Sequence, residues 1–417
     1  MNKPVNFIHL AGSGAAREWG SFALEFPHRA RFTAVVDADR NRREAFAAEH
    51  NIAKNRQYGT LKQAQQEGRL ADAALVSVPE TERAAAILGM LGAGYDVMTE
   101  TPLALTAADV TAIADAARKG DAILAAFHPL RHHSLFRTVR QMIHSGAFGR
   151  VLGVELTRTL SHVAMAHYHV RGTLNTQSAL PLMGACAGTE LDLLRGWADC
   201  RPRKVCSSGV LTHFKADRAP QGAPAFCLDG CPIQRDCPYH VVRMYGDAGA
   251  DLSLVRQIGA FKERHELWNS LRNSRYGRCV YKCDNDVLDF QAVAIEFEGS
   301  VTAHLTVTGM GGEDARMARI VLDNGLIELD SRNGLIRAAT LNPPMRREVE
   351  SVGAPPDPIR AMLDAFIDAV GSRDRRHLPA PFGASLDGHW MAFAAEESRL
   401  SGKWVELRNP DGGRGRN

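Results

Sequence analysis

The chain has 417 residues, 50 Lys+Arg against 47 Asp+Glu for a formal charge of +3, 45% hydrophobic residues and 23% charged ones. At about 150 residues per domain this length carries two to three domains with ample core, which excludes a peptide-like or disulfide-stapled fold. No basic block suits a phosphate backbone, and the longest apolar-rich stretch, Ala84 to Gly94, is too short to span a bilayer, so a soluble protein that binds neither nucleic acid nor membrane is expected.

Lys3 followed by Val5, Phe7, Ile8 and Leu10 mimics a signal peptide, but Asn6 and His9 interrupt the run, which reads better as a strand entering a glycine turn. Cytoplasmic residence is therefore the expectation. Up to residue 127, strand-like runs (Val5 to Ala11, Phe32 to Asp37, Ala73 to Val78, Tyr95 to Thr99, Ala122 to Phe127) alternate with helical patterns such as Arg40 to His50 and Glu82 to Ala93. This order predicts an α/β dinucleotide-binding domain over 1–127, a doubly wound parallel Rossmann sheet. From Arg150 onward the runs lengthen, with Val151 to Thr159, Val287 to Phe297 and Ser300 to Thr308 as strands and Glu190 to Trp197 as a helix. An α+β domain with an open, mainly antiparallel sheet is expected over 128–408. The polar, cysteine-bearing segment 217–278 reads as an insertion. A Pro-rich stretch, Pro343 to Pro358, precedes helical segments Ile359 to Val370 and Ala384 to Leu400, and the tail 409–417 is expected to be disordered.

Two clusters carry chemistry. After the first strand comes Gly12-Ser13-Gly14-Ala15-Ala16-Arg17, the first two glycines of a dinucleotide fingerprint with Arg17 at the third. The first glycine permits the tight turn and the second lets backbone approach a pyrophosphate. Asp37 ends the next strand, where an acid bonds ribose hydroxyls and repels a 2'-phosphate. NAD is thus favoured over NADP, although Arg40 and Arg42 lie near enough to accept the phosphate. The second cluster is Cys227-x3-Cys231-x5-Cys237 with Cys279-x3-Cys283. Five clustered thiols in a reducing compartment suggest metal before disulfide: one structural zinc on Cys227, Cys231, Cys237 and Cys279, with Cys283 spare. An iron-sulfur cluster, His240 as a substitute ligand, and simple packing thiols are the alternatives.

Glu100-Thr101-Pro102-Leu103 resembles the Glu-Lys-Pro signature of the Gfo/Idh/MocA oxidoreductases, the glucose-fructose oxidoreductase and inositol dehydrogenase family. His128-Pro129-Leu130-Arg131, Ser145 through Gly149, His167 through Gly172, Leu191 through Arg195, Tyr276 through Val287 and Phe393 through Ser398 are similar to further landmarks of that family, in a subgroup with a cysteine-rich insertion. The resemblance implies a two-domain enzyme with a tightly held nicotinamide cofactor, Pro79, Glu100 and Pro102 on its cofactor side, acting on a sugar, cyclitol or polyol. The departures lie at the proton-handling positions. Thr101 replaces the family lysine, and Thr189 replaces the second-domain histidine, followed by Glu190. Ala185 and Cys186 stand where many members carry aspartate and the subgroup carries lysine.

Removing hydride from an alcohol carbon requires the hydroxyl proton to leave as well, and a general base contributes about 100- to 10,000-fold. A threonine hydroxyl does not titrate near neutrality. Thr101, His128, His167, Arg171, Thr189 and Asp192 are the candidate catalytic set, with Arg171 suited to a sugar acid or an array of hydroxyls. His128, His167, His169 and Glu190 are the titratable groups available on the landmark segments, with His132 and His162 in the same stretches; if a histidine takes the proton, the rate should rise as it deprotonates near pH 6 to 7. Three functions remain open: an NAD(P)-dependent oxidoreductase with atypical proton transfer, a catalytically silent cofactor-binding partner subunit, and an enzyme whose bound NAD oxidises transiently to enable elimination or epimerisation. The open second sheet offers a face for homo-oligomer formation.

Overall fold

A computed structural model describes residues 3–12, 16–176, 181–246, 252–259, 261, 263–350, 357–379 and 382–407. The first sheet contains β1 (Val5–Ala11), β2 (Ala30–Val36), β3 (Gln57–Tyr58), β4 (Ala73–Ser77), β5 (Asp96–Thr99) and β6 (Leu124–Ala126) in the order β3-β2-β1-β4-β5-β6. Every pairing is parallel. All five residues of β4 are buried, as a strand covered on both faces requires. Ile8, Leu10, Val76 and Val97 fill one face of the sheet, and Phe7, Phe32, Leu75 and Met98 the other. The order reverses between β1 and β4, which opens a crevice at the carboxyl ends of these strands.

The second sheet adds β7 (Val151–Ser161), β8 (Pro202–Val210), β9 (Phe290–Phe297), β10 (Thr302–Gly311), β11 (Ala315–Leu322), β12 (Gly325–Asp330), β13 (Leu335–Thr340), β14 (Met345–Glu350) and β15 (Val405–Glu406). Their order is β14-β13-β12-β11-β7-β10-β9-β8-β15. β7 and β10 pair in parallel at the centre, and the other neighbours are antiparallel. Helices Glu190–Ala198 and Phe382–Ser401 cover one face. Leu152 and Met317, pointing the other way, remain exposed at 42% and 44%.

The split at residue 127 is not a single cut. Helix Pro358–Ser372, assigned from sequence to the second domain, sends Met362, Phe366 and Ile367 into the core of the first. Its start is well specified: the Asp357 carboxylate accepts the Ile359 N–H at 3.0 Å and Pro358 occupies the first turn. The cysteine-bearing insertion also departs from expectation. It packs Tyr239, Val241, Met244 and Tyr245 continuously with the second-domain core, so apolar burial holds it as well. The tail expected to be disordered lies outside the described residues. Among those described, no helix is long and apolar enough to cross a membrane.

Candidate active site

Gly12 follows β1 and lies against the segment after β4. A Cβ there would meet Pro79 Cδ at 3.1 Å and Val78 Cα at 3.6 Å, so only glycine leaves this approach relaxed. Ser13, Gly14 and Ala15 lie outside the described residues. Asp37, at the end of β2, is buried, and its two oxygens accept from Arg42 at 2.8 and 3.0 Å. Asp39 N–H donates to the same carboxylate at 2.8 Å, and Arg43 donates to the Asp37 carbonyl at 2.6 Å. Asp37 is therefore ion-paired with Arg42, which makes it a weaker barrier to a 2'-phosphate than its position in sequence indicates.

Glu100 is fixed from both sides, accepting from Ser77 Oγ at 3.0 Å and from Arg83 at 3.0 Å. Arg83 is 1% exposed and also donates to the carbonyls of Pro102 at 2.7 Å and Val78 at 3.0 Å. This one guanidinium ties together the loops after β4 and β5. Sequence reasoning missed it because it sits within a helix read only for its apolar face.

Thr101, His128, Thr189 and Asp192 gather around Gly188. A Cβ on Gly188 would fall 1.9 Å from Thr101 Oγ1, which itself donates to the Phe127 carbonyl at 3.3 Å. His128 Nδ1 donates to the Gly188 carbonyl at 3.0 Å, and its Nε2 faces Ser385 Oγ at 2.8 Å. Burial drives His128 down to about 4, with Asp192 opposing the shift, so at neutral pH the ring is uncharged. Asp192 is committed elsewhere, bridging Arg131 through both oxygens, one contact at 2.7 Å. His389, unremarked in the sequence, accepts the Leu103 N–H at 2.8 Å and is pushed by burial to about 4.

Thr189 donates its hydroxyl to Glu190. Glu190 is 2% exposed and receives Arg316 at 2.7 Å and Arg158 at 3.4 Å. Burial raises its carboxyl, but the two guanidiniums and the Thr189 hydroxyl outweigh that and hold it below the usual carboxylate range. It is an ionised, poorly basic group. Arg158 and Arg316 are cross-strand partners on β7 and β11. The signal for them was present in the sequence: Arg158 continues the inward set Val154, Leu156, and Arg316 the set Ala318, Ile320.

His167 and Arg171 lie on a π-helical turn, Met165–Arg171, and their contacts run to the insertion. The His167 nitrogens face Tyr245 OH at 3.0 Å and Gln257 Oε1 at 3.4 Å, with Tyr276 stacked at 4.7 Å. Arg171, expected to touch substrate, is 1% exposed and donates to Arg278 O at 2.7 Å, Tyr239 O at 2.8 Å, Met244 Sδ at 3.0 Å and Cys227 Sγ at 3.4 Å. Its donors are spent on bracing. The histidine titration expected near pH 6 to 7 is also not met by His128, His132 or His169, each of which burial lowers to about 4.

All eight cysteines are free thiols. Cys227, Cys231, Cys237 and Cys279 line one small cavity of about 10 Å³. Among the described residues, however, no three Cys, His, Asp or Glu side chains are posed to hold a metal ion, so the expected zinc centre is not formed as it stands.

Residues 8–128 match the GFO_IDH_MocA family model, described as the oxidoreductase family with an NAD-binding Rossmann fold. YteT of Bacillus subtilis (strain 168), which carries an oxidoreductase name, is 22% identical over 232 residues, 55% of this chain and 53% of that protein. The dTDP-3,4-didehydro-2,6-dideoxy-alpha-D-glucose 3-reductase of Streptomyces violaceoruber is 30% identical over 128 residues, 31% of this chain and 36% of that protein. The chain thus spans about half and about a third of the curated relatives it matches. A levoglucosan dehydrogenase solved with NADH and levoglucosan superposes with TM-score 0.68 at 13% identity, over 98% of this chain and 100% of that one. An oxidoreductase from Agrobacterium radiobacter, in complex with NAD+, L-tartaric acid and magnesium, gives 0.67 at 13% identity, over 97% and 99%. At these identities the likeness is one of fold.

Proposed function

We propose that this chain, whose nucleotide-binding domain belongs to the Gfo/Idh/MocA oxidoreductase family, is an NAD(P)-dependent oxidoreductase acting on an alcohol carbon of a sugar, cyclitol or related polyol. The observation that carries the reading is the crevice at the carboxyl ends of the parallel strands. There Gly12 leaves a cradle that a Cβ would fill, and Asp37 and Glu100 are each pinned by an arginine. Relatives of the same fold solved with NADH and levoglucosan, or with NAD+ and L-tartaric acid, support the same assignment. A nicotinamide dinucleotide bound in the crevice would supply the hydride acceptor. Gly12, Asp37 with Arg42, Pro79, Glu100 and Pro102 are the residues that would hold it.

The protein's own part is positioning and proton removal, and the second is weak. Thr101 and Thr189 offer hydroxyls only, His128 is neutral and hydrogen-bonded at both nitrogens, and Glu190 is held ionised between two arginines. Turnover should therefore be slow. The same observation favours a second reading, a silent NAD(P)-binding partner subunit of this fold; transient oxidation enabling elimination or epimerisation would need a base just as much. The uncovered face of the second sheet, with Leu152 and Met317 exposed, suits pairing with a second copy, and a reducing cytoplasm suits eight free thiols.

Titration with NAD and NADP, then a polyol and sugar-acid panel followed by NADH absorbance, tests the reading. Binding with slow turnover, raised at least about tenfold (roughly 1.4 kcal/mol of barrier) in Thr101→Lys/Thr189→His but little in Thr101→Lys alone, is expected. Binding without turnover in any variant favours the silent subunit. No millimolar-or-better binding of either nucleotide removes both readings.

A further inference from the structure

Arg171 is the starting point. Its guanidinium cannot shed its charge, yet it is 1% exposed, and its hydrogen bonds run to two carbonyls, a thioether, a thiol and the Tyr245 hydroxyl, with no carboxylate among them. A buried cation without an anion is costly, so the surroundings should supply negative charge. What surrounds it is sulfur. Arg171 lines the same small cavity as Cys227, Cys231, Cys237 and Cys279, and no Asp or Glu lines it.

The chain path brings these thiols together from two separate segments. Phe226 and Arg278 form an isolated antiparallel bridge, flanked by Cys227 N–H to Gly277 O at 2.9 Å and Cys279 N–H to Ala225 O at 2.8 Å. Cys231, Cys237 and Cys279 each open a tight turn, their carbonyls accepting from Gln234, His240 and Lys282 at 3.3, 3.2 and 2.9 Å. Two other candidates are used up. His240 Nε2 meets Cys227 O at 2.9 Å while its Nδ1 accepts the Val242 N–H at 3.3 Å, and Cys283 donates to Cys279 O at 3.3 Å and does not line the cavity. Four thiols line the cavity, Cys227 among them although it already accepts from Arg171 at 3.4 Å.

We propose that Cys227, Cys231, Cys237 and Cys279 close on one zinc ion as a tetrathiolate that pins the insertion to the second domain, with Arg171 as its counter-charge. The thiols are not posed for this as they stand, so closure requires their side chains to turn inward onto the cavity. Four S–H bonds break and four S–Zn bonds form: Zn²⁺ and four thiols give a Zn(S)₄ centre of charge −2 and four protons released to solvent. Four thiolates from two segments, with no carboxylate lining the cavity, select zinc among common divalent ions. The site goes beyond the proposed redox chemistry: no residue of the cofactor crevice lines it.

Metal analysis of full-length protein, purified without chelator and again after unfolding and refolding with added zinc, is the primary test. About one zinc per chain is expected. Replacement by cobalt should give the intense visible bands and sulfur charge-transfer absorption of a tetrahedral thiolate centre. Cys200→Ser and Cys206→Ser should keep the metal; Cys231→Ser and Cys237→Ser should lower it at least about tenfold, as should Arg171→Met. Less than a tenth of an equivalent in both preparations overturns the proposal, whatever the variants do. So does an iron-sulfur absorption spectrum, or a mass showing these cysteines paired as disulfides.

Discussion

Glu190→Gln is the sharpest single perturbation of the candidate active site. It keeps the volume and removes one charge from between Arg158 and Arg316, whose side chains are 14% and 18% exposed and lie opposite one another on paired strands. Like charges in register repel, and here Glu190 is the buried anion shared by both. Asp314, at 2.9 Å from Arg158 and 47% exposed, compensates only one of them. Removing one member of a buried ion-pair network costs about 3–5 kcal/mol, and at about 2–4 °C per kcal/mol for a domain of this size the second-domain melting temperature should fall by roughly 6–20 °C. The pH dependence checks the cause. The folded carboxyl of Glu190 lies below its unfolded value, so its stabilisation is present above the unfolded value and is lost as pH falls through the folded one. The gap between wild type and variant should then be constant from about pH 5.5 to 8 and close in acid. Arg316→Met in the Glu190→Gln background should recover part of the loss. Thermal melts followed by near-ultraviolet circular dichroism measure all three. An unchanged melting temperature, accompanied by a drop of more than about 100-fold in turnover, would refute the counter-ion reasoning and make Glu190 the base.

Acid should destabilise the protein through its buried histidines. The folded values lie below the unfolded one, so stability is full above about pH 6.5 and declines as pH falls toward about 4. His128 and His389, each lowered from 6.5 to about 4, contribute about 3 kcal/mol apiece; urea unfolding at pH 7.5, 6 and 5 should show the decline, and a flat profile would contradict it. Arg42→Ala frees the Asp37 carboxylate and should lower NADP affinity relative to NAD by about tenfold, roughly 1.4 kcal/mol, read as a ratio of dissociation constants. Phe366→Ala, at a side chain 0% exposed, should cost about 3–5 kcal/mol in the first domain and weaken nucleotide binding, while the second-domain melt stays in place.

The first sheet was legible because strands buried on both faces are written as apolar runs. Five of its six strands follow from that signal, and the sixth, Gln57–Tyr58, is only two residues long and has no run to read. The apolar face of helix Pro358–Ser372 was equally visible, but such a face names no partner, and its return to the first domain was not. Thr101 and Thr189 were located by resemblance to a family. The roles of their neighbours depended on contacts that sequence spacing does not encode: His128 meets Ser385 across 257 positions and His389 meets Leu103 across 286. Burial sets the charge state of both histidines, and burial is a property of the assembled fold. Arg171 failed for the same reason, since a guanidinium looks like a ligand group until the insertion closes over it.

These contacts also explain why the changed positions act together. Gly188 presses on Thr101 so closely that a Cβ would overlap the threonine oxygen, and its carbonyl is held by His128, so a longer side chain at 101 must leave in another direction. The Thr189 hydroxyl donates to Glu190, and Glu190 answers Arg158 and Arg316. A histidine at 189 would remove that hydroxyl and bring a second titrating group beside two guanidiniums, where the protonated ring is disfavoured. Recovering a lysine–histidine proton path by exchanging these two side chains therefore also disturbs a packing contact and a charge network, which is why the expected gain from the double exchange is modest, about tenfold. On the proposed reading, with the cofactor in the crevice and proton removal at positions 101 and 189, the two are separable: cofactor affinity should survive changes at 101 and 189, and turnover should respond to them only in combination.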